Sequence, residues 1–280
     1  MKKICIFLCG IILTVLMSGC GEQKEWYEEY PTVCHALGKT EEGYTLTNSL
    51  EAFEYNYKLG QKVFEVDCAI TSDQVVVLRH DWDSDLGQAE EFGWTDDEKE
   101  VPSAELFLSV PIYESYTPMT LLDLYQKMDE KQDVYVVLDP KYTPDVEGQF
   151  KLIVDTALNN GYESVLDRLI VQLYYEDMYD EVESVYSFQN YIYTLYYIGF
   201  PGGETVGSFC EEKAIPVLVM PYTWLSETIM RELEPYPIKL YVHTVDEEED
   251  AYNAASFGVD GIYSDQILPK QMRKILKESK

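Results

Sequence analysis

The chain has 280 residues, 46% of them hydrophobic, enough for one large α/β domain or two small ones around a substantial core. Its formal charge of −30 repels nucleic acid and anionic lipid and draws in divalent cations, which excludes DNA and RNA as partners. Any site that handles a phosphate in such a field must bring a metal or buried cations of its own.

The first segment stands apart from the core. Lys2 and Lys3 precede an apolar run, Ile4–Met17, too short to span a bilayer comfortably, and Leu16-Met17-Ser18-Gly19 leads into Cys20. This resembles a bacterial lipoprotein signal, with Met17 where Leu is more usual. The resemblance implies cleavage before Cys20, a lipid on its sulfur, and an extracytoplasmic domain anchored to the cell membrane. An uncleaved N-terminal anchor is the alternative, and it too exports the domain. Residues 21–30 read as a polar, acidic tether, leaving 31–280 for the domain. Beyond Cys20 only Cys34, Cys68 and Cys210 remain, an odd number without framework spacing. Small buried core residues are expected, with a Cys34–Cys68 bridge open if their strands are neighbours.

Thr32–His35 reads as a short strand ending in a histidine. Thr47 or Asn48 can cap a helix in which Leu50, Phe53 and Tyr57 recur at helical spacing, and Gly60 ends it. Val63–His80 holds two apolar, β-branched runs joined by the turn-like Ser72-Asp73-Gln74. Residues 81–118 are polar, acidic and poorly periodic, a long insertion of the kind that often forms a lid, and its Trp82 and Trp94 either line a pocket or anchor the loop. Beyond Thr120 the pattern is regular, with strands at 134–138, 169–173, 191–196, 216–220, 240–245 and 258–265 alternating with helices. Such alternation implies a parallel sheet. Eight or nine strands, depending on Val75–Leu78, fit a (β/α)₈ TIM-type barrel with an insertion after the third strand and one missing crossover helix.

Glu65 and Asp67 are two apart, so on a strand both carboxylates point to one face, and His80 closes the next run. Same-face carboxylates beside a histidine suit a hard-metal site with an acid/base next to it. An ordinary half-buried strand yields such a pair as readily. The three histidines, His35, His80 and His243, all fall at or near C-terminal ends of expected strands, as do Glu65, Asp67, Asp139 and Lys141. In a parallel barrel those ends share the face where catalytic groups gather. Tyr174, Tyr175, Tyr193, Tyr196 and Tyr197 read either as a sugar- or glycerol-binding rim or, more simply, as strand formers.

Taken in order, these stretches resemble the motifs of the glycerophosphodiester phosphodiesterase family. They are His35, Asn48–Phe53, Phe64-Glu65-Val66-Asp67, Val77–Asp81, Asp139-x-Lys141, Val242–Val245 and Gly258–Ile262, running from about Thr32 to Asp265. The resemblance implies a phospholipase-C-like barrel, a divalent metal (Ca²⁺ or Mg²⁺) and phosphodiester cleavage. It carries the metal-ligand role to Glu65, Asp67 and Asp139, the acid/base role to His35 and His80, and a phosphate contact to Lys141. His243, where the family often has Trp, is expected at the phosphate or leaving group, or else packed on Tyr241 or Trp224. Glycerophosphodiesters, envelope glycerol-phosphate polymers or head groups would be substrates, and the protein is expected to act as a monomer. The family's Arg after its first histidine is Ala36 here, its helix-opening Glu is Thr47, and its third acid is Asp139 rather than Glu. Loss of that guanidinium makes a non-catalytic binding lipoprotein the competing class, with His243 or Lys39 as a replacement donor if activity is kept. A phosphoinositide-type phospholipase C is a third reading.

Overall fold

The computed structural model describes residues 25–95, 98–141 and 144–279; the expected signal segment and Cys20 lie outside them. The chain opens with α1 (Trp26–Glu29), β1 (Thr32–Cys34) and α2 (Leu50–Lys58). A hairpin of β2 (Val63–Ile70) and β3 (Val76–Leu78) follows, and α3 (Ala104–Ser109) lies within the insertion. Then come α4 (Leu121–Glu130), β4 (Tyr135–Asp139), α5 (Val146–Leu158), β5 (Leu169–Leu173), α6 (Asp177–Glu183) and β6 (Asn190–Thr194). The chain finishes with α7 (Gly203–Glu212), β7 (Val217–Pro221), α8 (Glu227–Leu233), β8 (Lys239–His243), α9 (Glu248–Ser256), β9 (Gly261–Ser264) and α10 (Pro269–Glu278).

Strand β1 pairs in parallel with both β2 and β9, so β1, β2 and β4–β9 close an eight-stranded parallel barrel. A helix covers every crossover, because the ninth strand does not belong to the wall. β3 runs antiparallel to β2, with Cys68 opposite Leu78 and Ile70 opposite Val76. That corrects the expected missing crossover, and it changes how His80 reaches the site. β2 pairs with β4 only over Val63–Asp67 and then overruns the rim. β3 returns alongside the overhang and brings His80 back down to the level of Asp67.

Period-two alternation sorts the strand residues. Phe64, Val66, Val136, Leu138, Val171, Leu173, Leu218 and Met220 face outward into the core shared with the helices. Val63, Val137, Ile170, Ile192, Val217 and Tyr241 fill the lower barrel, and Trp26 of α1 packs against them. Tyr241 fits because residue 261 is glycine; a Cβ there would lie 2.5 Å from its ring. Two residues further along the same strands stand Glu65, Asp139, Gln172, Thr194, Val219 and His243. The polar layer is therefore one pleat above a dry one.

The N-cap of α2 is Ser49, whose hydroxyl accepts from the Ala52 amide, rather than Thr47 or Asn48. The insertion is partly ordered by α3 and by a small cluster of Leu86, Ile112 and Tyr116. Cys34, Cys68 and Cys210 are free and buried.

Candidate active site

A cavity of about 340 Å³ opens at the C-terminal end of the barrel, lined by His35, Glu65, His80, Asp139, Lys141 and His243 among others. Asp67 adjoins it through Lys141, whose ammonium contacts Asp67 Oδ1 and lies 2.8 Å from Asp139 Oδ2. Glu65, Asp67 and Asp139 each offer one oxygen, all within 4.8 Å of one another. Three hard oxygens at that spacing fit a divalent cation. Glu65 Oε1 supports the fit, since it is buried with no hydrogen-bond partner. Burial and the neighbouring Asp67 push the Glu65 carboxyl up to about 8. Asp67 is equally buried, yet the Lys141 charge and two hydrogen bonds hold its carboxyl below the ordinary range.

One of those bonds comes from Asn48. Its amide donates to Asp67 Oδ2 at 2.7 Å, and its carbonyl oxygen accepts from the Asp67 backbone N–H at 3.2 Å. Asn48 is buried with φ +47, so this residue, expected to cap the helix, instead clamps a carboxylate. Lys141 also has positive φ, and its amide donates to Asp139 Oδ1 at 3.0 Å, folding the side chain back over the carboxylates. Tyr174 donates its hydroxyl to the same Asp139 oxygen.

Two of the three histidines at this end, His35 and His80, are each oriented by a carboxylate. His35 Nδ1 lies 2.9 Å from Asp265 Oδ1, and His80 Nδ1 lies 2.5 Å from Asp81 Oδ2. With Nδ1 engaged, Nε2 is the nitrogen left for a substrate. Burial opposes the His35 imidazolium, but the Asp265 bond and the charges of Glu65, Asp265 and Asp67 outweigh it and raise the group to about 9. The loop after His35 is held by Asn56, whose amide donates to the Leu37 and Lys39 carbonyls, and Gly38 fits there because a Cβ would strike Asn56 and Cys34. Ala36, in the left-handed region, donates its N–H to Glu65 Oε2 at 2.7 Å. Its methyl is fully buried, so the missing guanidinium is not replaced from this position.

His80 is fixed from the insertion. Arg79, 1% exposed, donates to the carbonyls of Asp81 and Ser84 and to the Gln88 side chain. Trp82 and Trp94 flank its guanidinium at 5.2 and 5.5 Å. Both tryptophans anchor the loop; neither lines the cavity. Lys39 also lies elsewhere, bonded to Gln266. His243 does line the cavity, but against Tyr196 and Tyr263 rather than Tyr241 or Trp224. Of the five tyrosines, Tyr174, Tyr196 and Tyr197 reach the cavity, whereas Tyr193 is buried against Phe209. Asp265, Asp81 and Asn48 were missed as site residues. All three lie in or beside the stretches already singled out, but only the fold reveals what they hold.

Residues 39–160 match the model of the glycerophosphoryl diester phosphodiesterase family, a stretch that contains Asn48, Glu65, Asp67, His80, Asp139 and Lys141. Among solved structures, a glycerophosphodiester phosphodiesterase from Parabacteroides distasonis is similar with a TM-score of 0.66 and 18% identity, over 89% of this chain and 98% of that one. An Oleispira antarctica phosphodiesterase in complex with the product sn-glycerol-3-phosphate gives 0.66 and 15%, over 90% and 98%. The Thermotoga maritima glycerophosphodiester phosphodiesterase gives 0.61 and 18%, over 89% and 98%. No curated protein sequence matches the chain.

Proposed function

We propose that the chain is a phosphoric diester hydrolase that cleaves glycerophosphodiesters, free or as glycerol-phosphate units of envelope polymers or head groups. One observation carries this reading: three clustered carboxylates and two carboxylate-tethered histidines gather at one cavity, and four of these five groups, all but His35, lie inside the family-matched stretch. Glu65, Asp67 and Asp139 would hold a divalent cation, calcium or magnesium, and such a cation supplies charge neutralisation and orientation of the phosphate. Lys141, leaning on the same carboxylates, is the cation this chain itself can offer to a phosphate oxygen.

Two proton transfers complete the reaction. His80 Nε2 takes the proton from the attacking hydroxyl as the new P–O bond forms. His35, kept protonated by Asp265, gives its Nε2 proton to the leaving alkoxide as the old P–O bond breaks. A glycerol hydroxyl adjacent to the phosphate is a sufficient nucleophile and gives a cyclic phosphate, which water opens with the two roles reversed.

Release of alcohol from glycerophosphodiesters and bis-p-nitrophenyl phosphate, with calcium, with magnesium and with chelator, tests the reading. Turnover should need the cation, and His35→Ala and His80→Ala should each lower kcat by about 10²–10⁴-fold. Tight cation binding without turnover of any diester would favour the binding-lipoprotein reading, with Ala36 as the reason. A cyclic inositol phosphate product would favour the phosphoinositide-specific one.

We also propose that the domain works outside the cytoplasm, anchored by lipid on Cys20. The Lys2-Lys3 start, the apolar run and the small residues before Cys20 support this. Cys20→Ala should move the protein from the membrane fraction to the soluble one.

A further inference from the structure

The catalytic groups of the cavity come from β1, β2, β4 and the loop after β3. The wall that continues from them, from β5, β6, β8 and β9, carries Gln172, Thr194, His243 and Tyr263, with Tyr196 and Tyr197 also lining the cavity. No carboxylate or lysine comes from these strands into the cavity. Two buried polar atoms there have no hydrogen-bond partner: Nε2 of His243 and the hydroxyl of Tyr263, a residue only 3% exposed. Their rings stand edge to face at 6.4 Å, so both atoms belong to one small region. Polar atoms buried without partners are costly, and where they line a cavity a ligand is the natural partner.

We propose that this wall is the subsite for the alcohol that leaves the phosphate, and that it takes a polyhydroxylated alcohol, a polyol or sugar, rather than a quaternary ammonium. This rests on the phosphodiesterase reading and adds the substrate class to it. A hydroxyl both donates and accepts, so neighbouring hydroxyls of one ligand can satisfy His243 and Tyr263 together. A quaternary ammonium makes no such bond and would leave both atoms unpaired. Tyr196, 62% exposed and edge-on to His243 at 5.7 Å, and Tyr197, 53% exposed, add aromatic surface against which the C–H face of a sugar or polyol can lie. Burial and the nearby His35 charge push His243 down to about 4, so at neutral pH its ring is uncharged and Nε2 can accept or donate according to tautomer.

The test compares kcat/KM for glycerophosphoglycerol and glycerophosphoinositol with that for glycerophosphocholine, in wild type, His243→Phe and Tyr263→Phe. Wild type should prefer the polyol diesters by about tenfold or more, since a site built to hydrogen-bond rejects a ligand lacking those groups. Each Phe variant should shrink that preference by about tenfold, and His243→Gln, which restores a hydrogen-bonding side chain, should recover part of it. Equal or better use of glycerophosphocholine by wild type, or a preference untouched by both substitutions, would overturn the proposal. Should no diester be hydrolysed at all, the catalytic reading fails and the subsite is read separately by calorimetry with glycerol and myo-inositol. Binding weakened by His243→Phe would uphold the subsite, and no binding to wild type would overturn it.

Discussion

The carboxylates of this site are shaped by what touches them. Asn48 holds Asp67 from both ends of its carboxamide, so Asn48→Ala leaves a buried acid short of one hydrogen bond and a buried backbone N–H without its acceptor. A loss of about 1–3 kcal/mol in denaturant unfolding is expected, with weaker cation binding, because Asp67 loses its aim. His35 illustrates the electrostatic side. Its value of about 9 in the folded chain exceeds the roughly 6.5 of an unfolded one. Protonation of His35 therefore stabilises the fold fully below pH ~6.5, and that contribution is lost as pH rises through 9. In chelator, Asp265→Asn should lower the His35 titration followed by NMR and narrow this window. Loading wild type with calcium should move the titration in the same direction by neutralising Glu65 and Asp67. A titration indifferent to both changes would show that Asp265 does not set the His35 charge. Glu65 and Asp67 were legible as a pair from strand alternation alone. Their supports were not, since Asn48 and Asp265 lie 19 and 198 residues from Asp67 and meet the site only through folding.

At the scale of elements, the β2–β3 hairpin is the departure from a plain barrel. Two apolar runs joined by a tight turn could be read either as wall strands or as a hairpin, since both have the same periodicity. The tertiary structure chose the hairpin because β4 pairs with β2 and leaves β3 on the overhang. Arg79 then ties the following loop down with three hydrogen-bond partners and two aromatic neighbours. Arg79→Met keeps much of the volume but frees the carbonyls of Asp81 and Ser84. Unfolding free energy should fall by about 2–4 kcal/mol, amide exchange should rise across residues 81–95, and kcat should fall through His80. A loss confined to stability, with kcat intact, would separate the loop's anchoring from catalysis. The later strands lie within about three residues of their expected bounds, as expected where periodic segments alternate.

At the scale of the whole molecule, charge bears on the proposed metal site. With a net charge of −30, a divalent cation held by Glu65, Asp67 and Asp139 would relieve repulsion inside the site and across the surface alike. Saturating calcium or magnesium at about 100 times Kd should add roughly 2.7 kcal/mol, a rise in Tm of about 5–10 °C in thermal unfolding. Glu65→Gln should abolish most of that rise, whereas a general surface effect would survive the substitution. Sequence by itself determined the fold class and picked out the carboxylate and histidine set, because each is written in local periodicity or residue chemistry. The barrel's closure, the antiparallel course of β3 and the partners of His35, Asp67 and Arg79 were decided only in three dimensions. These depend on contacts between residues far apart in the chain, and no local pattern records which distant strand or side chain will arrive beside them.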